Sequence, residues 1–289
     1  MSLKKTFTSV LLYLTLSPAD AASAKALYTA YLRAVTTLLF RPAKFLTVGQ
    51  FLDRDIKAKC HGMLAFARAH SEDLGYYAHI TKPDTFAWFT PKRGDVVVDC
   101  GSSVGFFTLL ALQAGARVFA FEPNPSTFAV LRHNVALNRF TEAILINSGL
   151  GERKGELLLH THKSLTGTAS YAKGWSDWVS QYDEEIEVHT EVTTLDAELL
   201  NLSHIHWLLI DVEGFEFQVL IGAKSLLKKV DRVIIEVSHG SRERVLELLR
   251  SAGFSERDRG SIEKAAQYFF FEKSVSHKTV STAHQDANA

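Results

Sequence analysis

The stretch Val96-Val97-Val98-Asp99-Cys100-Gly101-Ser102-Ser103-Val104-Gly105 decides the fold of this chain of 289 residues. It predicts a buried strand over residues 96–99 that ends in an acid, then a turn of small residues and an apolar helix over 106–114. A second strand, over residues 117–122, also ends in an acid, Glu122. Ligands of open α/β sheets bind at the carboxyl ends of the strands. The segment therefore predicts a nucleotide-type cofactor site with a carboxylate placed for a ribose diol.

From about residue 86 onward, short β-branched runs alternate with amphipathic helices. This alternation predicts an α/β fold with a mostly parallel sheet and helices on both faces. Two runs, 156–160 and 187–193, have strand character and are predicted to pair, and residues 163–183 between them are interpreted as a mobile lid over the site. The remaining predicted strands are 143–147, 207–211, 232–237 and 266–272, and the remaining helices are 126–138, 216–227 and 242–252.

The domain organisation is predicted as a helical extension over residues 1–80, a main domain over 81–274 and a disordered polar tail over 275–289. Apolar residues recur at helical spacing between Leu27 and Leu39. A second helical stretch is predicted over residues 56–70.

Two interpretations of the amino terminus stay open. Lys4-Lys5, an apolar stretch over residues 7–16 and small residues over 19–24 have the layout of a secretory signal. Alternatively, Ser17 caps the next helix and Pro18 occupies its first turn. No run reaches the ~18 apolar residues of a membrane span. A peripheral membrane contact through this end stays open.

The composition is that of an ordinary globular domain: 46% hydrophobic and 22% charged residues, with a formal net charge of zero. It argues against a strongly basic nucleic-acid binder, so no nucleic-acid partner is expected. The two cysteines, Cys60 and Cys100, form no CxxC pair, which leaves a zinc ribbon or a redox dithiol unsupported. Reduced thiols in a cytoplasmic protein are the expectation, although the sequence is compatible with one disulfide.

The first turn suits S-adenosylmethionine (SAM) better than a dinucleotide. Glycines and a helix start offer backbone N–H groups to the methionine carboxylate, Asp99 lies close to the ammonium group, and Glu122 suits the ribose diol. The dinucleotide pattern G-x-G-x-x-G, counted from Gly101, fails at Ser103 and Phe106. The predicted cofactor-binding residues are Asp99, Gly101, Ser102, Ser103, Gly105, Glu122, Pro123 and Asn124.

A second apolar strand, Leu208-Leu209-Ile210, ends in Asp211, and Glu213 follows two positions later. Residues two apart in an extended chain share a face, so both carboxylates are predicted to face the cleft. Glu216 is interpreted as an acid that charges the start of the next helix.

The chain contains, in order, the motifs Asp99-Cys100-Gly101-Ser102-Ser103-Val104-Gly105-Phe106-Phe107-Thr108, Phe121-Glu122-Pro123-Asn124-Pro125, Thr194-Leu195-Asp196 and Ile210-Asp211-Val212-Glu213-Gly214-Phe215-Glu216. Together they resemble the FkbM-type SAM-dependent methyltransferases over residues 86–237. The resemblance implies a class I methyltransferase sheet of seven strands with a reversed last strand. It also implies methylation of a hydroxyl oxygen, on a sugar or a natural-product scaffold. Ser102-Ser103 stand where the family often carries Ala-Asn.

Transfer of a methyl group to a hydroxyl is aided by a base that removes the hydroxyl proton. The candidates are Asp211, Glu213 and His239, which follows a predicted strand. A divalent ion shared by Asp211 and another acid stays open, and no zinc site is predicted. Either stacking on the acceptor or anchoring of the loop is predicted for Trp175, Trp178 and Tyr182.

The sequence thus predicts a SAM-dependent O-methyltransferase that acts on a small-molecule or glycan acceptor. Two alternatives remain: an NAD(P)-dependent oxidoreductase and a catalytically silent SAM-binding protein. The identity of the acceptor and the oligomeric state do not follow from the sequence, because a fold hosts many functions.

Overall fold

The computed structural model describes residues 17–40, 48–79, 87–175, 183–260 and 266–274. The apolar stretch within residues 1–16, Trp178, Tyr182 and the tail over 275–289 lie outside the described residues, together with the predictions made for them.

Elements are numbered in chain order over the described residues. The strands are β1 Ser17–Pro18, β2 Ile56–Cys60, β3 Met63–Ala67, β4 Val96–Cys100, β5 Arg117–Phe121, β6 Ala143–Ile146, β7 Gly149–Leu150, β8 Gly155–His162, β9 Glu185–Thr193, β10 Ile205–Ile210, β11 Val230–Ser238, β12 Phe254–Arg259 and β13 Ala266–Lys273. The helices are α1 Ala21–Phe40, α2 Asp73–His79, α3 Phe106–Gln113, α4 Pro125–Leu137, α5 Leu195–Leu199, α6 Glu216–Ile221 and α7 Arg242–Ser251, with short 3-10 turns at Val48–Phe51, Thr166–Thr168 and Leu226–Lys229.

The main sheet has seven strands in the order β12-β13-β11-β10-β4-β5-β6. Neighbouring strands from β11 to β6 are parallel, whereas β13 runs antiparallel to both β11 and β12. The chain builds β5 and β6 on one side of β4 and then returns to place β10 on the other side, which creates a topological switch point beside β4. The sheet confirms the predicted α/β class and the class I methyltransferase architecture with a reversed last strand.

Helices cover both faces of this sheet because its central strands are apolar on both sides. In β10, Trp207 and Leu209 pack into one core with α3 and α4, whereas Leu208 and Ile210 pack into the other core with α6 and α7. The predicted layered architecture is therefore present, with the functional edge left at the carboxyl ends of the strands.

The helix predicted over residues 56–70 is wrong, because β2 and β3 form an antiparallel hairpin there. His61 and Gly62 adopt φ angles of 50° and 82°, which suits a tight hairpin turn. Alternate side chains of both strands are buried, the period of a strand rather than of a helix. The helix predicted from the Leu27–Leu39 spacing is confirmed as α1, although β1 precedes it and pairs with β2.

The hairpin is fastened to α4 by two asparagines. Asn134 Oδ1 accepts a hydrogen bond from Phe66 N at 2.7 Å, and Asn138 Oδ1 accepts one from Leu64 N at 2.8 Å. Buried residues of the hairpin and of the main sheet belong to one apolar core. The division into an extension over 1–80 and a domain over 81–274 stays a prediction, and its boundary lies outside the described residues.

A smaller sheet with the order β7-β9-β8 stands beside the main one, and β8 and β9 pair antiparallel as predicted. The helix predicted over 216–227 is shorter, because α6 ends at Ile221 and a 3-10 turn follows at Leu226–Lys229. The edge strand β12 was not predicted, since its charged sequence FSERDR has no apolar run.

Cys60 and Cys100 are both buried and neither forms a disulfide. Burial raises the pKa of the Cys60 thiol to about 11, so this side chain behaves as a small apolar residue at neutral pH. Among the described helices, none combines the length and the apolar character that crossing a bilayer requires.

Candidate active site

A cavity lies at the carboxyl ends of β4, β5 and β10, next to the switch point of the sheet. It encloses about 540 Å³ of empty space, including the part that opens to solvent. Its lining is formed by Gly101, Ser103, Phe121, Glu122, Pro123, Ser148, Gly149, Leu150, Leu159, Thr166, Gly167, Ala169, Tyr171, Asp211, Val212, Glu213 and Phe215.

The turn after β4 is held tightly between its two neighbouring strands. Gly101 N donates a hydrogen bond to Phe121 O at 3.0 Å, and Asp211 N donates one to Cys100 O at 2.9 Å. Gly101 has a φ of 83°, and a Cβ atom at this position would lie 1.8 Å from Asp211 O. Only glycine fits there, because both the backbone conformation and the close approach of β10 exclude a side chain.

The other turn residues divide into two groups. Ser103 lines the cavity, and its buried hydroxyl has no hydrogen-bond partner among the described residues. Ser102 instead turns its hydroxyl inward, where it donates to Asp99 O at 3.0 Å and to Phe121 O at 3.2 Å. Gly105 precedes α3, and a Cβ atom there would lie 2.6 Å from Leu131 Cδ1. Sequence reasoning treated all three alike, but only Ser103 faces the cavity.

Asp99 is 1% exposed and is not among the described residues that line the cavity. Its Oδ2 accepts a hydrogen bond from Thr108 Oγ1 at 2.6 Å. Burial raises the pKa of this carboxyl to about 7, and the hydrogen bond from Thr108 opposes the rise. The arrangement ties β4 to α3 and makes Asp99 a support beneath the turn.

Glu122 lies directly beyond the last residue of β5 and faces the cavity. Its Oε2 accepts a hydrogen bond from Ser103 N at 2.9 Å, and its Oε1 accepts one from Asn124 N at 2.8 Å. Burial raises the pKa of the carboxyl to about 7, although these backbone N–H groups lower it. Pro123 also lines the cavity. Asn124 does not; it caps α4 by accepting from Ser126 N at 3.0 Å.

Asp211 and Glu213 also line the cavity, just beyond the end of β10. The Asp211 carboxylate accepts a hydrogen bond from Tyr268 OH at 2.6 Å, and the Glu213 carboxylate accepts one from Trp175 Nε1 at 2.6 Å. Burial, followed by the nearby Asp211 charge, raises the pKa of Glu213 well above its ordinary value. Both acids predicted at this strand end therefore face the cavity.

A third acid, Glu236 on β11, completes a cluster at this end. Single carboxylate oxygens of Asp211, Glu213 and Glu236 lie within 4.8 Å of one another, a spacing at which they could hold a cation. Sequence reasoning did not assign Glu236 or Tyr268, which face each other in the pairing of β11 with β13. The available signal was a single acid, Glu236, within the apolar run over residues 233–237 of β11.

His239 and Glu216 have different positions from the cavity residues. His239 is exposed in the turn after β11, and the cavity lining in the described part of the chain does not include it. Glu216 is fully buried; it accepts a hydrogen bond from Gly214 N at 2.7 Å and from the hydroxyls of Ser238 and Ser241 at 3.1 Å each. These contacts agree with its interpretation as a residue of the helix start.

One wall of the cavity comes from the segment over residues 163–183 that is interpreted as a lid. This wall consists of Thr166, Gly167, Ala169 and Tyr171. Gly167 N donates a hydrogen bond to Glu72 Oε1 at 2.6 Å, and Arg68 Nη2 donates one to Thr166 Oγ1 at 3.0 Å. Arg68 is itself held by the fully buried Asp73 through two hydrogen bonds of 2.7 Å. Arg68 and Glu72 therefore form a brace that supports the wall from the amino-terminal part of the chain. The sequence pattern does not predict these contacts.

The aromatic residues of this segment pack against the site. Trp175 covers Gly214, where a Cβ atom would lie 2.8 Å from Trp175 Cε3. Tyr171 lines the cavity, and its hydroxyl is 2.6 Å from Thr190 Oγ1. Trp175 thus anchors the segment, one of the two roles predicted for it.

Comparison with known proteins gives the family. A profile of the methyltransferase FkbM domain matches residues 99–256. Methyltransferase 1 of Beauveria bassiana is 29% identical over 178 residues, which cover 55% of this chain and 72% of that protein. The 31-O-demethyl-FK506 methyltransferase FkbM of Streptomyces tacrolimicus is 30% identical over 192 residues, covering 57% and 74%. The hexuronic acid methyltransferase AglP of Haloferax volcanii is 32% identical over 157 residues, covering 52% and 58%.

Among solved structures, Trm5b from Pyrococcus abyssi aligns with a TM-score of 0.45 at 14% identity, over 75% of this chain and 55% of that one. The fold assignment rests on the strand order described above, and the family assignment rests on the profile. The profile covers more than half of the chain, and its matched region carries the two acidic strand ends that build the cavity. The chain belongs to the methyltransferase FkbM domain family.

Proposed function

We propose that this protein uses S-adenosylmethionine to methylate a hydroxyl oxygen of a carbohydrate or a small natural product. One observation carries the proposal: a carboxylate just beyond the end of β5 and a pair of carboxylates beyond the end of β10 line the same cavity. Glu122 suits the cofactor side, and Asp211 with Glu213 suits the reacting side.

The lining fits a nucleoside that bears an amino-acid tail. Glu122 can accept hydrogen bonds from the ribose diol, and the buried Ser103 hydroxyl, which lacks a partner among the described residues, offers a polar contact. Phe121, Leu150 and Leu159 supply apolar surface for a base. These residues support SAM as the cofactor and disfavour the oxidoreductase alternative, which the family assignment also opposes.

Bound SAM supplies a methyl group on a positively charged sulfur. The protein has to hold the acceptor oxygen in line with that methyl group and to take up the hydroxyl proton. Asp211 is the proposed base, because it lines the cavity and the Tyr268 hydroxyl fixes the orientation of its carboxylate. Glu213, held by Trp175, is the second carboxylate in reach, and its proposed part is to orient the acceptor hydroxyl.

The acceptor class rests on two supports. The names of two relatives describe action on a hexuronic acid and on demethyl-FK506, a sugar acid and a natural product. The wall around Gly167 and Tyr171 also contributes to the cavity lining, and a concave site of this kind suits a small acceptor or the end of a glycan. The exposed His239 has no assigned part in the reaction.

Titration calorimetry with S-adenosylhomocysteine, and separately with NADH, tests the cofactor assignment in the wild-type protein. Binding of the first and not of the second is expected. Transfer of radiolabelled methyl groups to a panel of sugars and hydroxylated natural products then tests the reaction.

Asp211→Asn should lower turnover by about 10²-fold or more, the usual contribution of a positioned base, and leave the affinity for S-adenosylhomocysteine within about twofold. Asp53→Asn, at an exposed acid far from the cavity in sequence, is the matched control and should change neither quantity. A variant Asp211→Asn with wild-type turnover would remove Asp211 as the base. A protein without affinity for S-adenosylhomocysteine would contradict the whole proposal.

A further inference from the structure

The charge of the cavity lining is one-sided. Three of the described lining residues carry carboxyl groups: Glu122, Asp211 and Glu213. The described lining includes no lysine, arginine or histidine. Glu236 adds a fourth carboxyl group beside Asp211 and Glu213. An acceptor that enters this cavity therefore meets carboxyl groups and, among the described lining residues, no basic side chain.

The guanidinium of Arg68, which contacts the wall, is already paired with the carboxylate of Asp73. Arg68 makes two hydrogen bonds to the carboxylate of Asp73 and one to Thr166 Oγ1, so its guanidinium serves the wall. Glu72, on the same brace, is a further acid, and its carboxylate accepts from Gly167 N. The brace thus brings no uncompensated positive charge to the acceptor.

A bound molecule with hydroxyl or ammonium groups would donate hydrogen bonds to the carboxyl groups of Glu122, Asp211 and Glu213.

We infer that the acceptor is a polyhydroxylated molecule without an acidic group: a neutral sugar, an amino sugar or a neutral natural product, and not a uronate or a phosphorylated sugar. The inference rests on the proposed function and selects among its acceptor classes. Hydroxyl and ammonium groups can donate hydrogen bonds to the Asp211 and Glu213 carboxyl groups that line the cavity, whereas a carboxylate or phosphate on the acceptor has no proton to donate to them.

Three acceptors with one ring framework test the inference: methyl glucoside, the methyl glycoside of glucosamine and the methyl glycoside of glucuronic acid. Transfer from radiolabelled SAM is measured at low ionic strength, where charge effects are largest. The expected result is a kcat/KM for the uronate at least about tenfold below that of the better of the other two. A uronate that is methylated as well as the neutral glycoside, or better, would overturn the inference.

A second measurement does not depend on turnover. SAM carries one positive charge more than S-adenosylhomocysteine, at the sulfur that should face the acidic end of the cavity. SAM should therefore bind several-fold more tightly, and the ratio of the two affinities should fall several-fold in Asp211→Asn. Glu152→Gln, at an exposed glutamate, is the control and should keep the wild-type ratio.

The two measurements separate the inference from the function on which it rests. If S-adenosylhomocysteine binds but none of the three glycosides is methylated, the carbohydrate class fails, and the affinity ratio alone decides the charge of the site. A ratio that Asp211→Asn leaves unchanged would overturn the inference, and a ratio that falls in the variant would support it.

Discussion

Glu122 is the residue whose chemistry gives the sharpest prediction, because its carboxylate has to be ionised to accept hydrogen bonds from a ribose diol. In the unliganded protein the pKa of Glu122 is raised to about 7 by burial. Binding at pH 6 therefore requires the loss of a proton that is already absent at pH 8. With a pKa of about 7, the affinity of wild-type protein for S-adenosylhomocysteine should fall roughly tenfold from pH 8 to pH 6.

Glu122→Gln removes the charge and keeps the shape. Each hydrogen bond to a charged group contributes about 1.5–3 kcal/mol, and 1.4 kcal/mol corresponds to a factor of ten. Loss of one such bond to the diol should weaken binding about 10- to 100-fold at pH 8, and the pH dependence between 6 and 8 should disappear. Part of the loss comes from the new amide N–H₂, which faces either Ser103 N–H or Asn124 N–H in place of an acceptor oxygen.

The assay is titration calorimetry at pH 6, 7 and 8, with Glu72→Gln as the control. The pKa of Glu72 is also raised to about 7 by burial, but its carboxylate accepts from the wall and is not part of the described lining. This control should keep the wild-type pH dependence of binding. Affinity of the wild type that is flat between pH 6 and pH 8, or a dependence that survives in Glu122→Gln, would refute the assignment of Glu122 to the diol.

Three further predictions concern the frame around the site. Gly101→Ala should destabilise the protein by about 2 kcal/mol or more, as judged from urea unfolding, because of its positive φ and the 1.8 Å approach of a backbone oxygen; Gly155→Ala, where a Cβ atom meets nothing within 4 Å, should cost less than about 1 kcal/mol. Arg68→Gln should cost about 3 kcal/mol, because the fully buried Asp73 loses its ion pair, and a loss below about 1 kcal/mol in the same assay would contradict this. Tyr268→Phe should lower kcat about tenfold through the loss of one hydrogen bond to a carboxylate, with the affinity for S-adenosylhomocysteine unchanged; a loss confined to that affinity would show that the tyrosine supports the cofactor side.

The centre of the sheet could be predicted from the sequence because β4, β5 and β10 are apolar runs that end at or next to an acid. The same pattern did not distinguish Asp99 from Glu122, the two acids at the ends of the apolar runs of β4 and β5. Asp99 lies within β4, paired beside Leu209 and Ala120, and points to α3. Glu122 lies one residue beyond β5 and faces the cavity. A difference of two positions relative to the strand end separates the supporting residue Asp99 from the lining residue Glu122, and composition alone does not give the strand ends.

The features that sequence reasoning missed depend on long-range pairing. The proximity of Glu236 to Tyr268 follows from the antiparallel register of β11 and β13, which are separated by a helix and an edge strand. The hairpin over β2 and β3 was missed because short apolar runs fit either period, and its His61-Gly62 turn is a weak local signal. The brace formed by Arg68 and Glu72 joins the wall to residues far away in the sequence. Its contacts exist only in the folded chain, so a local sequence pattern does not predict them.

The hydrogen bonds of Asn134 and Asn138 to the β2–β3 hairpin affect where this chain can be truncated. We expect that residues 99–256, the stretch that matches the family profile, do not fold on their own. Removal of the residues before Asp99 would remove the hydrogen bond between Phe66 N and the buried amide of Asn134, and it would remove Glu72 from the wall at Gly167. A chimaera that carries a relative's amino-terminal segment would therefore lack contacts that support the cavity in this protein. The junction of such a chimaera should not be placed at residue 99, where the match to the family profile begins.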